Sequence, residues 1–315
     1  MASRQPYNAL RNPAKIKRFI SIVFLWSLLL YQSYDASAFT VTDSTGTIFE
    51  FNTPPKRIVS LVPAVTENLY LLGAEDAVVG VTSFCLYPAR AQEKEKAGTF
   101  LNPNVEKVLR LSPDIVFATK EGQRKELIFK MRSVGLNVFV LSPNSDFADI
   151  SEDFLLLGRI VGKEKKAEEI LKGSDKKIRD IRTRLEGEQS PLVFLQLDTR
   201  PLVSVGGGTF TDELIYLAGG VNIAHSSPIR YPRYSVEEVV IRDPDVIVII
   251  AMGADVERER AAWQRYRSLS AVKQGRVYII DAHKVSTSVP TVFTQGLEAL
   301  AALLHPDENS SGLPK

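Results

Sequence analysis

The chain has 315 residues, of which 44% are hydrophobic and 24% charged, as is usual for a globular protein with one to three packed cores. Its 39 basic and 37 acidic side chains nearly cancel, and this balance excludes the strongly basic character of nucleic-acid-binding proteins. The only cysteine, Cys85, has no partner for an intramolecular disulfide, so the fold must be stabilised by packing.

Residues 1–38 contain the three parts of a secretory signal peptide in order. A basic start is followed by an apolar run at 19–30, which is shorter than the roughly 20 residues that span a bilayer. Ala36-Ser37-Ala38 then matches a cleavage site, and the chain after it has 34 basic and 36 acidic residues. Because no cysteine lies at the cleavage point, the pattern predicts an unlipidated periplasmic protein that begins near Phe39. The alternative is an uncleaved membrane anchor.

Residues 39–146 predict an N-terminal α/β lobe. A β-hairpin is expected around Ser44-Thr45-Gly46, where apolar residues alternate on both sides of a turn. Runs rich in β-branched residues predict four more strands, at 58–62, 77–82, 114–119 and 137–142. Helical spacing predicts helices from Thr66 to Gly73 and over 124–134. This alternation is typical of a parallel sheet with helices on its faces.

The rest of the chain predicts a helical link and a second lobe. Residues 147–187 have helical spacing and no strand pattern, and a helix of more than about 20 residues is over 30 Å long, enough to join two lobes. Strand patterns return at 191–197, 245–251 and 276–282, and the last predicted helix is 292–304. We therefore expect a C-terminal α/β lobe over 188–305 and a disordered tail at 306–315.

One sequence unit occurs twice, once in each predicted lobe. NVEKVLRLSPDIVFAT (104–119) and SVEEVVIRDPDVIVII (235–250) align without a gap. Each contains a polar helix cap, a glutamate in the first turn, then Pro-Asp and a β-branched strand. The helix dipole alone stabilises such a glutamate by about 0.3–1 kcal/mol, so Glu106 and Glu237 need no other role. Alternatively, they form a matched pair that a two-fold symmetric partner binds through arginines.

Five stretches, taken in order, resemble the periplasmic binding proteins of ABC transporters for cobalamin, ferric siderophores and haem: PPKRIVSLVPAVTENLYLLGAEDAVVGVT, YPARAQ, NVEKVLRLSPDIVFAT, VGGGTFTDELIYLAGGVNI and YPRYSVEEVVIRDPDVIVI. The match extends from Phe39 to Leu304. The resemblance implies two Rossmann-like α/β lobes with parallel sheets, joined by a long rigid helix in the class III architecture, with a ligand between them. It also implies a monomeric carrier without a resident cofactor, whose Glu106 and Glu237 bind arginines of a dimeric permease.

Within that family the chain is most similar to the cobalamin-binding branch, through GVTSFCLYP, GTFLNPNVEKV and VFLQL. That branch places aromatic side chains against the flat corrin ring, and the matching positions here hold Phe84, Phe100 and Tyr231. Other positions that are aromatic in the branch hold Thr119, Leu197 and Val203. The branch's late acid and arginine fall near His283 and Thr287. The resemblance therefore predicts cobalamin or a similar corrinoid as the ligand.

Three arginines near the predicted cleft favour a different ligand class: Arg200, Arg230 and Arg233. Guanidinium groups would bind the negative charges of a ferric siderophore, of haem propionates or of an oxyanion. Loop solubility explains these arginines equally well. A siderophore, haem or oxyanion carrier is the alternative prediction.

The sequence lacks the motifs of an enzyme or of a metal site. It has no Ser-His-Asp arrangement and no nucleophile elbow, which argues against an enzyme on the same scaffold. His225, His283 and His305 are too scattered for a paired-histidine metal site. GGGTFTDEL lacks the Gly-Lys-Ser/Thr ending of a phosphate loop, so its glycines are predicted to form a tight turn.

Overall fold

The computed structural model describes residues 38–251 and 255–306, so the predicted signal peptide up to Ser37 and the tail from residue 307 lie outside the described residues. The described chain begins with the predicted antiparallel hairpin, formed by β1 (Phe39–Thr42) and β2 (Ile48–Phe51). Asp43 accepts hydrogen bonds from the backbone N–H groups of Thr45 (2.8 Å) and Thr47 (3.0 Å), which fixes the turn. Its second oxygen accepts one from Arg132 at 2.6 Å and so ties the hairpin to the first lobe.

A five-stranded parallel sheet forms the first lobe. Its strands are β3 (Ile58–Ser60), β4 (Val78–Val81), β5 (Glu95–Lys96), β6 (Ile115–Thr119) and β7 (Val138–Leu141), in the spatial order β5-β4-β3-β6-β7. Four of these strands are the predicted ones. The edge strand β5 has only two residues, both charged, and therefore no apolar pattern that could predict it.

Three helices accompany this sheet: α1 (Pro63–Leu71), α2 (Val105–Arg110) and α3 (Lys125–Ser133). Helix α1 begins three residues before the predicted Thr66, because Pro63 is well suited to the first turn, where its missing N–H is no loss. Two short 3₁₀ helices lie at Glu75–Ala77 and Ala89–Glu93.

The middle of the chain forms two helices, as its spacing predicts. They are α4 (Phe147–Ile160) and α5 (Glu164–Arg184), separated at Gly162, which has a φ of +68°. Helix α5 has 21 residues and is about 32 Å long. None of the helices in the described ranges is long and apolar enough to cross a membrane.

The second lobe is built on a four-stranded parallel sheet. Its strands are β8 (Leu192–Gln196), β11 (Val221–Asn222), β12 (Val246–Ala251) and β13 (Val277–Asp281), in the order β11-β8-β12-β13. A small hairpin of β9 (Asp198–Thr199) and β10 (Leu202–Val203) follows β8. The helices are α6 (Phe210–Leu217), α7 (Val236–Arg242), α8 (Val256–Trp263), α9 (Ser270–Lys273), α10 (Ala282–Ser286) and α11 (Pro290–Leu304).

The repeated sequence unit folds in the same way in both lobes. Asn104 and Ser235 cap α2 and α7, each accepting a hydrogen bond from the N–H three residues later. Ser112 and Asp243, the residues before the two prolines, both have left-handed backbone (φ +45° and +43°).

The aspartate of each copy accepts hydrogen bonds from backbone N–H groups at the start of the neighbouring strand. Asp114 accepts from the N–H groups of Lys56 (2.7 Å) and Arg57 (2.8 Å), just before β3. Asp245 accepts from the N–H of Leu192 (2.8 Å) at the start of β8. The Pro-Asp part of the repeat therefore has a structural role in each sheet.

One large hydrophobic core connects the two lobes. It includes buried residues of β3 and β6, of the linking helices α4 and α5, of β8 and β12, and of α11. Phe147 at the start of α4 packs on Phe293 of α11 with ring centroids 4.9 Å apart. Each sheet also has one smaller hydrophobic cluster on its other face. Each sheet is thus covered on both faces, as expected for parallel sheets.

Candidate ligand cleft between the lobes

A cavity of about 340 Å³ lies where the carboxyl ends of the two sheets face each other, and we call it the cleft. Residues that follow β3, β6 and β7 line one side, and Leu197, directly after β8, lines the other. Loops at the carboxyl ends of parallel strands are the usual ligand site of open α/β sheets. The lining includes residues of both lobes and of α4: Val62, Pro63, Asn68, Phe100, Thr119, Glu121, Leu141, Asn144, Asp153, Leu157, Leu197, Phe210, Tyr231 and Thr287.

Phe100 is fixed in the first-lobe wall by a buried glutamine. The Gln123 side chain accepts from the N–H of Thr119 (2.9 Å) and donates to the backbone carbonyl of Phe100. Gly122 lies directly against the Phe100 ring, where a Cβ atom would overlap it. These contacts hold an aromatic face at the cleft.

Arg230 crosses from the second lobe to the first at the edge of the cleft. Its guanidinium donates to the carbonyls of Gly208 and Asn144, the latter at 3.0 Å, and lies 3.4 Å from the Glu121 carboxylate. Tyr231, the next residue, lines the cleft and is 44% exposed. Partial burial, together with the Glu121 charge, raises the pKa of Tyr231, which keeps its phenol neutral.

Asp153 is the most perturbed acid of the cleft. It lies on α4 one turn before Leu157, which also lines the cavity, and its carboxylate accepts one hydrogen bond, from Asn144 at 2.8 Å. Burial raises its pKa to about 6, and the nearby charges of Asp149 and Glu152 act in the same direction. The Asn144 hydrogen bond opposes this shift without cancelling it.

Asn68 contributes a second acceptor. It is 3% exposed, and its Nδ2 donates to the carbonyl of Ser288 in the second lobe at 3.4 Å. Its Oδ1 is buried and has no hydrogen-bond partner within the described part of the chain. Exchanging the amide atoms would place the oxygen against the Ser288 carbonyl, so the orientation is fixed by that contact.

The six residues predicted to bind ligand do not all lie together. Phe100 and Tyr231 line the cavity, and Arg230 lies beside it in the contacts described above. Phe84 is 57% exposed and is not among the lining residues. Arg200 lies exposed in the β9–β10 turn. The Arg233 side chain is also exposed, while its backbone forms an isolated β-bridge with Val203.

Sequence reasoning did not single out Glu121, Asp153 or Asn68. For Asp153 a signal existed, because it stands on the apolar face of α4, three residues after Ile150 and four before Leu157. An acid on the buried stripe of a helix is unusual and predicts either an ion pair or a site. Glu121 and Asn68 have no comparable signal.

Of the two changed family positions, Thr287 lines the cleft and His283 contacts the opposite lobe. His283 Nε2 lies 2.8 Å from the Glu67 carboxylate of α1, and its ring stacks on Tyr87 at 3.8 Å between centroids. Gly206 and Gly207 of the glycine-rich segment donate their N–H groups to the carbonyls of Arg230 and His225, so these glycines pack against the loop at 225–230.

Glu106 and Glu237 are exposed in the first turns of α2 and α7. Neither side chain has a hydrogen bond or an ion pair with any residue that the structure describes. By contrast Glu238, next to Glu237, completes the cap by accepting from the N–H of Ser235 at 2.7 Å. The two repeated glutamates are therefore available to a partner.

Comparisons with known proteins show which family the chain belongs to. A model of the periplasmic binding protein family matches residues 58–283. The chain belongs to the periplasmic binding protein family. The Bacillus subtilis lipoprotein YvrC, an uncharacterised ABC transporter substrate-binding protein, is 30% identical over 275 residues, which cover 85% of this chain and 86% of YvrC. The protein is accordingly a substrate-binding component of an ABC importer that acts outside the cytoplasm with a permease, and not an enzyme.

Other members of this family differ in the ligand they are named for. The vitamin B12-binding protein of Vibrio cholerae is 29% identical over 237 residues, covering 75% of this chain and 85% of that protein. Its crystal structure superposes with a TM-score of 0.71 at 28% identity over 80% of this chain and 97% of its own. The haem-binding protein RhuT of Roseiflexus sp. RS-1 shares the fold, with a TM-score of 0.69 and 22% identity over 79% of this chain and 99% of RhuT.

No group of three or more metal-ligating side chains occurs in residues 38–251 and 255–306. A larger groove of about 730 Å³ lies between the β1–β2 hairpin and the segment from Arg132 to Val138. It is away from the carboxyl ends of the strands and has no residue of the second lobe in its lining.

Proposed function

We propose that this periplasmic binding protein captures a corrinoid, such as cobalamin, between its two lobes and delivers it to the permease of an ABC importer. The observation that carries the proposal is the composition of the cleft lining. Phe100 and Tyr231 supply aromatic surface, and the described lining contains no lysine, arginine or histidine. A flat, largely apolar macrocycle with amide side chains fits such a wall better than an anionic chelate does.

The alternative ligands are a ferric siderophore, haem or an oxyanion, and each carries negative charge. Arg200 and Arg233 would have to reach the ligand from outside the cavity, since neither lines it. Arg230 would have to exchange its contacts with Asn144, Gly208 and Glu121 for the ligand. The acids Glu121 and Asp153 on the cavity wall would oppose such a ligand. Fold similarity to a haem-binding protein does not offset this charge pattern.

A cavity of about 340 Å³ is at the small end of ligand pockets and holds only part of a corrinoid. The remainder of the ligand would lie over the mouth, where the exposed part of Tyr231 extends the aromatic surface, and Phe84 would contact the ligand only if the ligand reaches beyond the cavity lining. Arg230 would then move or share its contacts when the ligand enters, and Arg200 and Arg233 would lie at the rim.

Residues 1–38 are proposed to direct export as a cleaved signal peptide, giving a periplasmic protein that begins near Phe39. The mature chain would carry no lipid, unlike the relative that is named a lipoprotein, because the sequence offers only the buried Cys85. N-terminal sequencing of the exported protein tests this, and a start at Met1 would contradict it.

Calorimetric titration of the purified protein with cobalamin, cobinamide, haem and a ferric catecholate tests the ligand. We expect a dissociation constant below about 10 μM for a corrinoid and weaker binding of the two anionic chelates. Tighter binding of haem or of the catecholate would replace the corrinoid with that class. Failure of both corrinoids to bind below about 10 μM would contradict the proposal without affecting the family assignment.

A further inference from the structure

The charged side chains that line the cleft are all acidic. Glu121 and Asp153 are its only ionisable acids in the described lining, and no base lines it with them. The charge of Glu121 is balanced by Arg230 at 3.4 Å. Asp153 has no ion pair with any described residue, and only the neutral Asn144 donates to it. One acid on the wall is therefore left without a compensating cation.

The surroundings of Asp153 make this charge costly to the folded protein. Asp149 and Glu152, on the same helix, add negative charge, and burial raises the pKa of Asp153 to about 6. An asparagine at this position would keep the shape and could still accept from Asn144. A buried carboxyl that costs stability and has no cation to compensate its charge is typical of a functional site.

Asn68, on α1, supplies the cleft with a second hydrogen-bond acceptor. Its Oδ1 is a buried acceptor without a partner in the described chain, and such an atom costs stability until a donor reaches it. Its Nδ2 bridges to Ser288 of the second lobe, so a ligand that separates the lobes slightly would gain access to the oxygen. The Asp153 carboxylate, which has no cation beside it, and the unpaired Oδ1 of Asn68 are thus both hydrogen-bond acceptors.

Asp153 and Asn68, as hydrogen-bond acceptors, would distinguish corrinoids by the chemistry of their side chains. The corrin rim carries acid side chains that are present either as carboxamides, which donate N–H groups and are neutral, or as free carboxylates, which only accept and are negative at pH 7. We propose that Asp153, supported by Asn68, is a specificity-determining acceptor that selects corrinoids with carboxamide side chains against those with free carboxylates. This inference rests on the corrinoid function proposed above.

The selectivity follows from the contact that each ligand would make. A carboxamide would donate to the Asp153 carboxylate and gain a charge-assisted hydrogen bond. A carboxylate in the same place would bring two negative charges together in a partly desolvated cleft, where repulsion is much stronger than in water. A site that holds an unpaired acceptor therefore rejects the analogue that lacks the donor.

The test compares cobinamide with its separated monocarboxylic acids, each made by hydrolysis of one side-chain amide, by calorimetry at pH 7.5. For the wild-type protein we expect at least one monocarboxylic acid to bind at least about tenfold more weakly than cobinamide. In Asp153→Asn that difference should fall to within about twofold. Glu152→Gln is the matched control, because it removes the same charge from the next residue of α4, outside the cleft lining, and should keep the wild-type preference.

Equal affinity of wild-type protein for the amide and for every acid would overturn the inference and leave the corrinoid function intact. A preference that persists in Asp153→Asn, or that disappears equally in Glu152→Gln, would show that Asp153 is not the selecting group. Failure of wild-type protein to bind any corrinoid would remove the proposed function itself, and the inference with it.

Discussion

Asp153 links the stability of this protein to its ligand chemistry at the scale of one carboxyl group. Its pKa is about 6 in the folded protein because of burial, against 3.8 for an unperturbed aspartate. Between about pH 4 and pH 6 the folded state therefore binds more protons than the unfolded state. The contribution of Asp153 to the free energy of unfolding should therefore fall as the pH rises through this interval, which is the reverse of the behaviour of a salt-bridged aspartate.

Replacing Asp153 by asparagine should remove this cost. We expect the stability of Asp153→Asn relative to the wild-type protein to rise by about 2 kcal/mol between pH 4.5 and pH 7.5. Urea unfolding of both proteins at the two pH values measures it. A variant that is less stable at pH 7.5, or a difference that does not change with pH, would contradict the raised pKa.

The aromatic residues of the cleft were easier to predict from the sequence than its polar contacts. Phe100 and Tyr231 line the cavity as the resemblance implies. Arg230 is predicted from its charge as a ligand contact, but its partners Asn144 and Glu121 lie 86 and 109 positions earlier in the chain. Such a pairing depends on how the lobes meet, and no local pattern records it.

At the scale of the element, the duplicated unit has two parts with different roles. The aspartates stabilise the fold, and the exposed glutamates, which we call the available half, are free to bind a partner. Asp114 and Asp245 accept hydrogen bonds from the backbone at the start of β3 and β8. We expect Asp114→Ala and Asp245→Ala each to lower the free energy of unfolding by about 1 kcal/mol, because these bonds lie at exposed strand ends. Glu106→Ala and Glu237→Ala should change it by less than about 0.5 kcal/mol. Chemical denaturation of the four variants measures this, and equal losses in all four would contradict the division.

The available half is proposed to bind the permease. Without Glu106 and Glu237 the arginines of a dimeric permease would lose one carboxylate per lobe, so the double variant should no longer stimulate ATP hydrolysis by the importer. Its affinity for ligand should be unchanged. Glu126→Ala is the matched control, since Glu126 is also an exposed first-turn glutamate, on α3. Loss of ligand affinity in the double variant, or full stimulation by it, would contradict this role.

Elements with strong patterns were predictable, and short ones were not. The β-branched runs of β3, β6, β8, β12 and β13 predict those strands to within three residues at either end. The two-residue strands β5 and β11 exist only because a neighbouring strand accepts them at the sheet edge. Helix α1 begins earlier than its apolar spacing predicts, because Pro63 follows the strand run directly and is itself the first residue of the helix.

At the scale of the whole molecule, the two lobes and the linking helices share one core. Buried residues of β3 and β12, which are in different sheets, belong to the same cluster, joined through α4, α5 and α11. We therefore expect thermal unfolding to show one cooperative transition by calorimetry, with equal calorimetric and van't Hoff enthalpies. Two separate transitions would show that the lobes are independent and would favour large hinge motions over a rigid pair.

We propose that ligand binds in the cleft between the two sheets and not in the larger groove beside the β1–β2 hairpin. Thr287 lines the cleft and Thr53 lines the groove, so Thr287→Trp and Thr53→Trp fill one cavity each with the same side chain. The measurement is calorimetric titration of both variants with cobinamide, after circular dichroism has shown that each is folded. We expect Thr287→Trp to bind at least about tenfold more weakly than the wild-type protein, and Thr53→Trp to bind equally well. Loss of binding in Thr53→Trp with full affinity in Thr287→Trp would contradict the claim.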